Sequence, residues 1–213
     1  AWLDVNREPY ELDPRMFDGE LPAYANVRSL RVAGGLGTIA RVVSENLEIY
    51  DRPIRVEDAL DRIETVYKPY HEALRRLLAR THTLFGYAVL VDCHSMPSTV
   101  RTAAGRPRPD FVLGDRFGSS CAPHVSEAAA SILADLGYSV ARNKPYAGGF
   151  ITEHYGRPGR GLHALQIEVN RGLYMNERTL EKLPGYGRLA QDIARFCAEL
   201  ASIPDAGLYP TAE

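Results

Sequence analysis

The feature that most constrains this chain is Gly86-Tyr87-Ala88-Val89-Leu90-Val91-Asp92-Cys93, a short apolar run entered through a glycine. A continuous run of that length, without polar alternation, reads as a strand buried on both faces of a sheet. Other segments supply the partners such a strand needs. Asp110-Phe111-Val112-Leu113-Gly114 and Tyr138-Ser139-Val140-Ala141 read as strands, and His163–Val169 alternates into another. Ser126–Leu136 reads as a helix closed by Gly137, and Gly185–Ala201 as the last helix. From Arg55 onward, Val56, Leu60, Ile63, Val66, Tyr67, Tyr70, Leu74, Leu77 and Leu78 recur mostly at helical spacings, with Pro69 predicting a kink or two consecutive helices. Residues 10–54, and the glycine-rich stretch from Asn143 to Gly161, predict loops and short elements. Strands alternating with helices predict an α/β fold, a sheet with helices on both faces.

At 213 residues, the chain is expected to be one domain over residues 1–213. With 45% hydrophobic and 24% charged residues it is neither a disordered nor a collagen-like chain. A formal net charge of −2 gives no support to nucleic-acid or membrane-surface binding, which favour a basic surplus. Cys93, Cys121 and Cys197 form no CxxC pair, which suits a reducing, cytoplasmic setting. The longest apolar run, near Tyr87–Val91, is far short of the ~20 residues of a membrane span. Trp2-Leu3-Asp4-Val5 already reads as part of a strand, so an upstream portion is expected.

Three constellations could carry chemistry. Asp92-Cys93-His94-Ser95-Met96-Pro97-Ser98 lies where the buried strand is expected to give out into a loop, the end at which open α/β sheets place ligands. His94 there could bind a metal, with Asp92 orienting its ring; the plain alternative is a hydrogen-bonded loop histidine. In His163-Ala164-Leu165-Gln166-Ile167-Glu168-Val169-Asn170-Arg171, alternation puts His163, Leu165, Ile167 and Val169 on one face and Ala164, Gln166, Glu168 and Asn170 on the other. A carboxylate inside such a strand is costly to bury alone. Glu168 therefore takes either the role of general base toward a metal-bound water or that of a structural ion-pair partner to Arg171 or Arg7. Finally, Arg7, Arg41 and Arg171 stand at the ends of apolar segments, and converging guanidinium groups would suit a dicarboxylic substrate. Other signals are weaker. There is no Gly-x-Ser-x-Gly elbow, and His71-Glu72 has Arg75 where a helical zinc site would need a second histidine.

Taken together, these segments resemble the N-formylglutamate amidohydrolase family. The resemblance is carried by Asp4-Val5-Asn6-Arg7-Glu8-Pro9, by Gly35-Leu36-Gly37-Thr38-Ile39-Ala40-Arg41, by Val91–Ser98, by Lys144-Pro145-Tyr146-Ala147-Gly148-Gly149-Phe150-Ile151-Thr152, and by His163–Met175. They fall in the family's order and span nearly the whole chain. The resemblance implies a zinc-carboxypeptidase-like (phosphorylase/hydrolase-like) fold with a mixed central sheet, here lacking an N-terminal portion and so leaving an exposed edge or groove. It also implies metal-dependent hydrolysis of the formamide bond of N-formyl-L-glutamate or a similar N-acyl amino acid, giving formate and the amino acid, in histidine degradation. The metal implied is divalent, zinc before others. His94 matches the metal-binding histidine and Glu168 the general base, and Asp92 beside His94 is expected to orient its ring. Arg7, Arg41 and Arg171, with Asn6 and Asn170, are expected to hold the carboxylates of the substrate, and further metal ligands are expected upstream of Ala1. The rival expectation is a non-catalytic small-molecule binding protein on the same scaffold, with an incomplete metal site.

Overall fold

The computed structural model describes residues 2–44, 47–99 and 108–203. The chain divides into two compact units, Ala1–Ala79 and Arg80–Glu213. The first is built from short elements, as the prolines and glycines predict: β1 (Phe17–Asp18), α1 (Leu30–Ala33), β2 (Val42–Ser44), β3 (Leu47–Glu48) and β4 (Ile54–Arg55). Its core is Leu12, Met16, Phe17, Ile39, Ile54, Val56 and Ala59. The helical stretch follows as α2 (Val56–Arg62), a π turn over Ile63–Tyr67, and α3 (Lys68–Phe85).

Two expectations change in this unit. Trp2-Leu3-Asp4-Val5 forms no strand. The Asp4 carboxylate accepts a hydrogen bond from the Asn6 amide at 2.8 Å, so the segment closes into a side-chain-stabilised turn. The irregularity in the long helix precedes Pro69: the Lys68 amide bonds to the Ile63 carbonyl, five residues back. Pro69, in the first turn of α3, then has no N–H to leave unsatisfied. The buried line along this stretch runs through Ala59, Ile63, Tyr67 and His71, while Val66 and Leu77 are exposed.

The second unit carries the sheet. Its elements are β5 (Ala88–Met96), β6 (Phe111–Gly114), α4 (Pro123–Asp135), β7 (Val140–Arg142), α5 (Phe150–Tyr155), β8 (Leu162–Asn170) and α6 (Tyr186–Leu200). The strand order is β5-β8-β6-β7. The sheet is mixed: β5 runs parallel to β8 and β6 parallel to β7, while β6 and β8 are antiparallel. Leu165, Ile167 and Val169 of β8 pack with Val125, Ala129 and Leu133 of α4 and Leu189, Phe196 and Leu200 of α6. Gln166, Glu168 and Asn170 are left on the opposite face, as the alternation predicts.

Strand β5 departs from its expectation in two ways. It pairs with β8 alone among the described residues, so it is an edge strand, and Val89–Val91 are half-buried with Cys93 exposed. It also runs on to Met96, so His94 is a strand residue and not the first of a loop; Pro97, which cannot donate to a ladder, follows its end. In the stretch read as a glycine-rich loop, α5 appears, too short for a period to register.

The corner after β6 organises the loop that crosses the polar face. Asp115, 2% exposed, accepts from Asn143 Nδ2 at 2.7 Å, Arg142 Nη2 at 2.9 Å and the Gly118 amide at 3.1 Å. The neighbouring Arg116 amide donates to the Ala147 carbonyl at 2.8 Å. Burial alone pushes the Asp115 carboxyl up, but these donors outweigh it and hold it below the usual carboxylate range. Asp115→Ala is expected to cost about 2–4 kcal/mol in urea unfolding at neutral pH. Because the folded-state value is depressed, that contribution is complete above the ordinary aspartate value of about 3.9 and is lost as pH falls through the lowered folded value. The gap between variant and parent therefore narrows on acidification; a gap independent of pH would show that Asp115 acts only through packing.

Candidate active site

The parallel ladder of β5 and β8 sets His94 directly opposite Glu168, with Asp92 opposite Gln166 and Met96 opposite Asn170. Residues opposite one another share a face, so an imidazole and a carboxylate from distant parts of the chain meet there. On the other flank of Glu168 stands Val112 of β6. His94 Nε2 lies 3.0 Å from Asp92 Oδ2, which fixes the ring. Gln166 Nε2 donates to Glu168 Oε1 at 2.8 Å, and its own Oε1 accepts the Gly149 amide at 2.8 Å. Glu168 is 7% exposed. Burial raises its carboxyl above the usual glutamate range, opposed by the charges of His94 and Arg171 and by the Gln166 bond, and reinforced by Asp92. A carboxylate so placed is a stronger proton acceptor than one in water, which is what a general base requires.

Tyr146 belongs to the same surroundings. Gly114 lets its loop lie close against β6, since a Cβ there would come within 2.7 Å of the Ala147 and Gly148 backbone. Burial and the nearby Glu168 push the Tyr146 hydroxyl up, against the pull of Arg171, so it stays protonated at neutral pH. At the end of β8, Arg171 donates through Nε to Ser95 Oγ at 3.1 Å and through Nη2 to the Ser95 carbonyl at 3.3 Å. Glu177, 3.9 Å from Arg171 Nη1, also accepts from the Ser98 amide at 3.0 Å. Glu168 thus feels Arg171 through space while the guanidinium is bonded elsewhere. Asn170 uses its amide locally: Oδ1 accepts the Gly172 amide at 2.9 Å and Nδ2 donates to the Pro109 carbonyl at 3.2 Å. A cavity of about 330 Å³ is walled by Cys93, His94, Ser95, Val169, Tyr186 and Leu189; Val169 and Leu189 belong to the face packed on α6, opposite that of Glu168.

Asn6, Arg7 and Arg41 lie in the first unit. Asn6 is buried, and its carbonyl accepts from Arg7 Nη1 at 2.9 Å. Arg7 Nε donates to the Leu36 carbonyl at 3.1 Å. Arg41 is committed to two carboxylates, Asp13 at 2.8 Å and Glu48 at 2.6 Å. Gln166, Tyr146, Ser95 and Glu177 escaped the sequence reading as site residues. The polar face that places Gln166 is visible in the alternation of β8, and Ser95 and Tyr146 lie in segments singled out above without being assigned a role, whereas Glu177 gives no local signal.

The donor set bears on a metal. A catalytic zinc normally takes three protein ligands. Among the described residues no group of three or more His, Cys, Asp or Glu side chains could hold a metal ion. Among the described residues His94 is the imidazole set opposite Glu168, and its Nε2 is turned to Asp92. These residues by themselves do not fit a complete catalytic metal site.

Comparison with known proteins bears on the same segments. The family model described as N-formylglutamate amidohydrolase matches residues 1–175. An N-formylglutamate deformylase of Pseudomonas putida is 41% identical over 116 residues, covering 54% of this chain and 43% of that protein. One of Pseudomonas aeruginosa is 38% identical over 123 residues, covering 57% of this chain and 46% of that protein. The chain thus spans less than half the length of these curated relatives. The crystal structure of an N-formylglutamate amidohydrolase from Ralstonia eutropha is similar with a TM-score of 0.88 at 34% identity, covering 96% of this chain and 74% of that one. A 19% identical crystal structure from Agrobacterium tumefaciens, with a TM-score of 0.52 over 94% of this chain and 68% of that one, shares the fold alone.

Proposed function

Because the chain belongs to the N-formylglutamate amidohydrolase family, we propose that it contributes the proton-transfer and part of the substrate-binding machinery of an enzyme that hydrolyses N-formyl-L-glutamate or a similar N-acyl amino acid. The observation that carries this reading is the buried Glu168 set opposite His94 in the β5–β8 ladder. Glu168 accepts a proton from the attacking water, whose oxygen bonds to the formyl carbon. The C–N bond then breaks, and the proton passes to the leaving amine, giving formate and glutamate. The protonated Tyr146 hydroxyl is a donor for the developing oxyanion. Arg7 and Arg171 are each candidates to hold a carboxylate of the substrate, with Asn6 and Asn170 shaping the turns that carry them; Arg41, bonded to both Asp13 and Glu48, has the weaker claim.

The names of the relatives and the similarity to the Ralstonia structure support this reading. A divalent metal, zinc before others, belongs to it on the strength of the resemblance, as does kinship with the zinc carboxypeptidases. His94 would be its ligand from this chain, and the remaining ligands would come from outside the described residues. A role in histidine degradation and a cytoplasmic setting go with the same reading. Among the described residues no helix is long and apolar enough to cross a membrane.

The test of substrate recognition is Arg171→Lys in the full-length enzyme. Lysine keeps the charge and loses the fork. The KM for N-formyl-L-glutamate is expected to rise about 10- to 100-fold, as befits a charged hydrogen bond, with a smaller rise for an N-formyl amino acid bearing a neutral side chain. Equal rises would assign Arg171 to the shared α-carboxylate, and unchanged kinetics on both would remove it from the site.

A further inference from the structure

We propose that Tyr67 and His71, lined up by the π turn of the long helix, are positioning residues for Arg7, fixing the backbone carbonyls on either side of Asn6. This rests on the reading that Arg7 holds a substrate carboxylate. The Tyr67 hydroxyl donates to the Arg7 carbonyl at 2.7 Å, and His71 Nε2 bonds the Val5 carbonyl at 2.9 Å. A carbonyl can only accept, so His71 carries its proton on Nε2. The two rings pack at 4.2 Å between centroids, and both residues are at most 5% exposed. Buried donors of this kind are expensive to strand, so each bond holds its carbonyl in place.

The helix explains how two such groups face one short turn. A four-residue step in an α-helix overshoots a full turn by about 40°, so a line of residues at that spacing drifts around the helix. The π turn over Ile63–Tyr67 holds more residues per turn and reverses the drift once. Ala59, Ile63, Tyr67 and His71 therefore stay on one buried line. The turn is tied from its other side as well: the Asp4 amide donates to the Thr38 carbonyl at 2.8 Å, and the Thr38 hydroxyl bonds the Glu8 carbonyl. With the main chain fixed at Asp4, Val5, Arg7 and Glu8, the Arg7 guanidinium, bonded to the Leu36 and Asn6 carbonyls and 3.5 Å from the Asp4 carboxylate, is held on a fixed base, as recognition of a carboxylate by a fork requires.

Amide hydrogen exchange tests the clamp in this chain directly. In a Tyr67→Phe, His71→Leu double variant, the amides of residues 4–8 are expected to exchange about 5- to 10-fold faster, while those of β5 and β8 keep parental protection. Unchanged protection at residues 4–8 would overturn the clamp. His71→Gln, which keeps a donor, is expected to restore protection lost in His71→Leu. In the full-length enzyme, Tyr67→Phe is expected to raise the KM for N-formyl-L-glutamate about 3- to 10-fold with kcat within about twofold. An unchanged KM there, alongside a raised KM in Arg7→Lys, would overturn the positioning role. If Arg7→Lys itself leaves KM unchanged, the substrate reading of Arg7 fails, and the exchange experiment alone decides the clamp.

Discussion

Glu168→Gln should lower kcat of the full-length enzyme by about 10²–10⁴-fold while leaving the fold intact. The fold should survive because the contacts of Glu168 suit an amide. Its Oε1 accepts from Gln166 Nε2, and a glutamine oxygen can do the same. The sheet around it is held by the Leu165, Ile167 and Val169 face, which the substitution does not touch. What is lost is a basic oxygen able to take a proton. Since burial raises the Glu168 carboxyl, the acid limb of kcat/KM should lie above the ordinary glutamate value of about 4.3 and should vanish in the variant. The same shift has a sign for stability. The folded state holds the Glu168 proton to higher pH than the unfolded chain does, so the parent loses stability as pH rises through that window. Glu168→Gln should therefore be at least as stable as the parent at neutral pH. A loss of kcat below about tenfold, short of what general-base assistance normally contributes, would make Glu168 structural.

His94→Ala should have the second large effect, at least about 10²-fold on kcat/KM at neutral pH. Among the influences on Glu168, the charge of His94 is the largest that opposes burial. Its removal leaves desolvation and Asp92 less opposed, so the remaining activity should show its acid limb at higher pH than the parent. Asp92, 3.0 Å from His94 Nε2, loses its partner at the same time. If His94 also ligates a divalent metal, the purified full-length variant should carry less zinc. Parental rate, pH profile and zinc content together would remove His94 from the site.

The sequence made the two faces of β8 legible, because polar and apolar residues alternate there without interruption. The core on Leu165, Ile167 and Val169 and the polar row of Gln166 and Glu168 both follow from that period. The pairing of His94 with Glu168 does not. Register between parallel strands far apart in the chain is set by packing of the whole sheet, and no local signal encodes it. Polar Asp92, His94 and Ser95 have the composition of a loop, yet the ladder to β8 carries the strand on to Met96. Asp4 makes the strand-like opening a turn, since its carboxylate takes the Asn6 amide that a ladder would use. Arg41 looked available for a ligand because its partners, Asp13 and Glu48, are brought to it only by the fold.

Formate release from N-formyl-L-glutamate by the full-length parent and by Glu168→Gln, at equal protein concentration and at a pH above the acid limb, tests the central claim most directly. The account predicts formate and glutamate in equal amounts from the parent, and a turnover at least about 10²-fold lower from a folded Glu168→Gln. Formate release by the variant at close to the parental rate would contradict it.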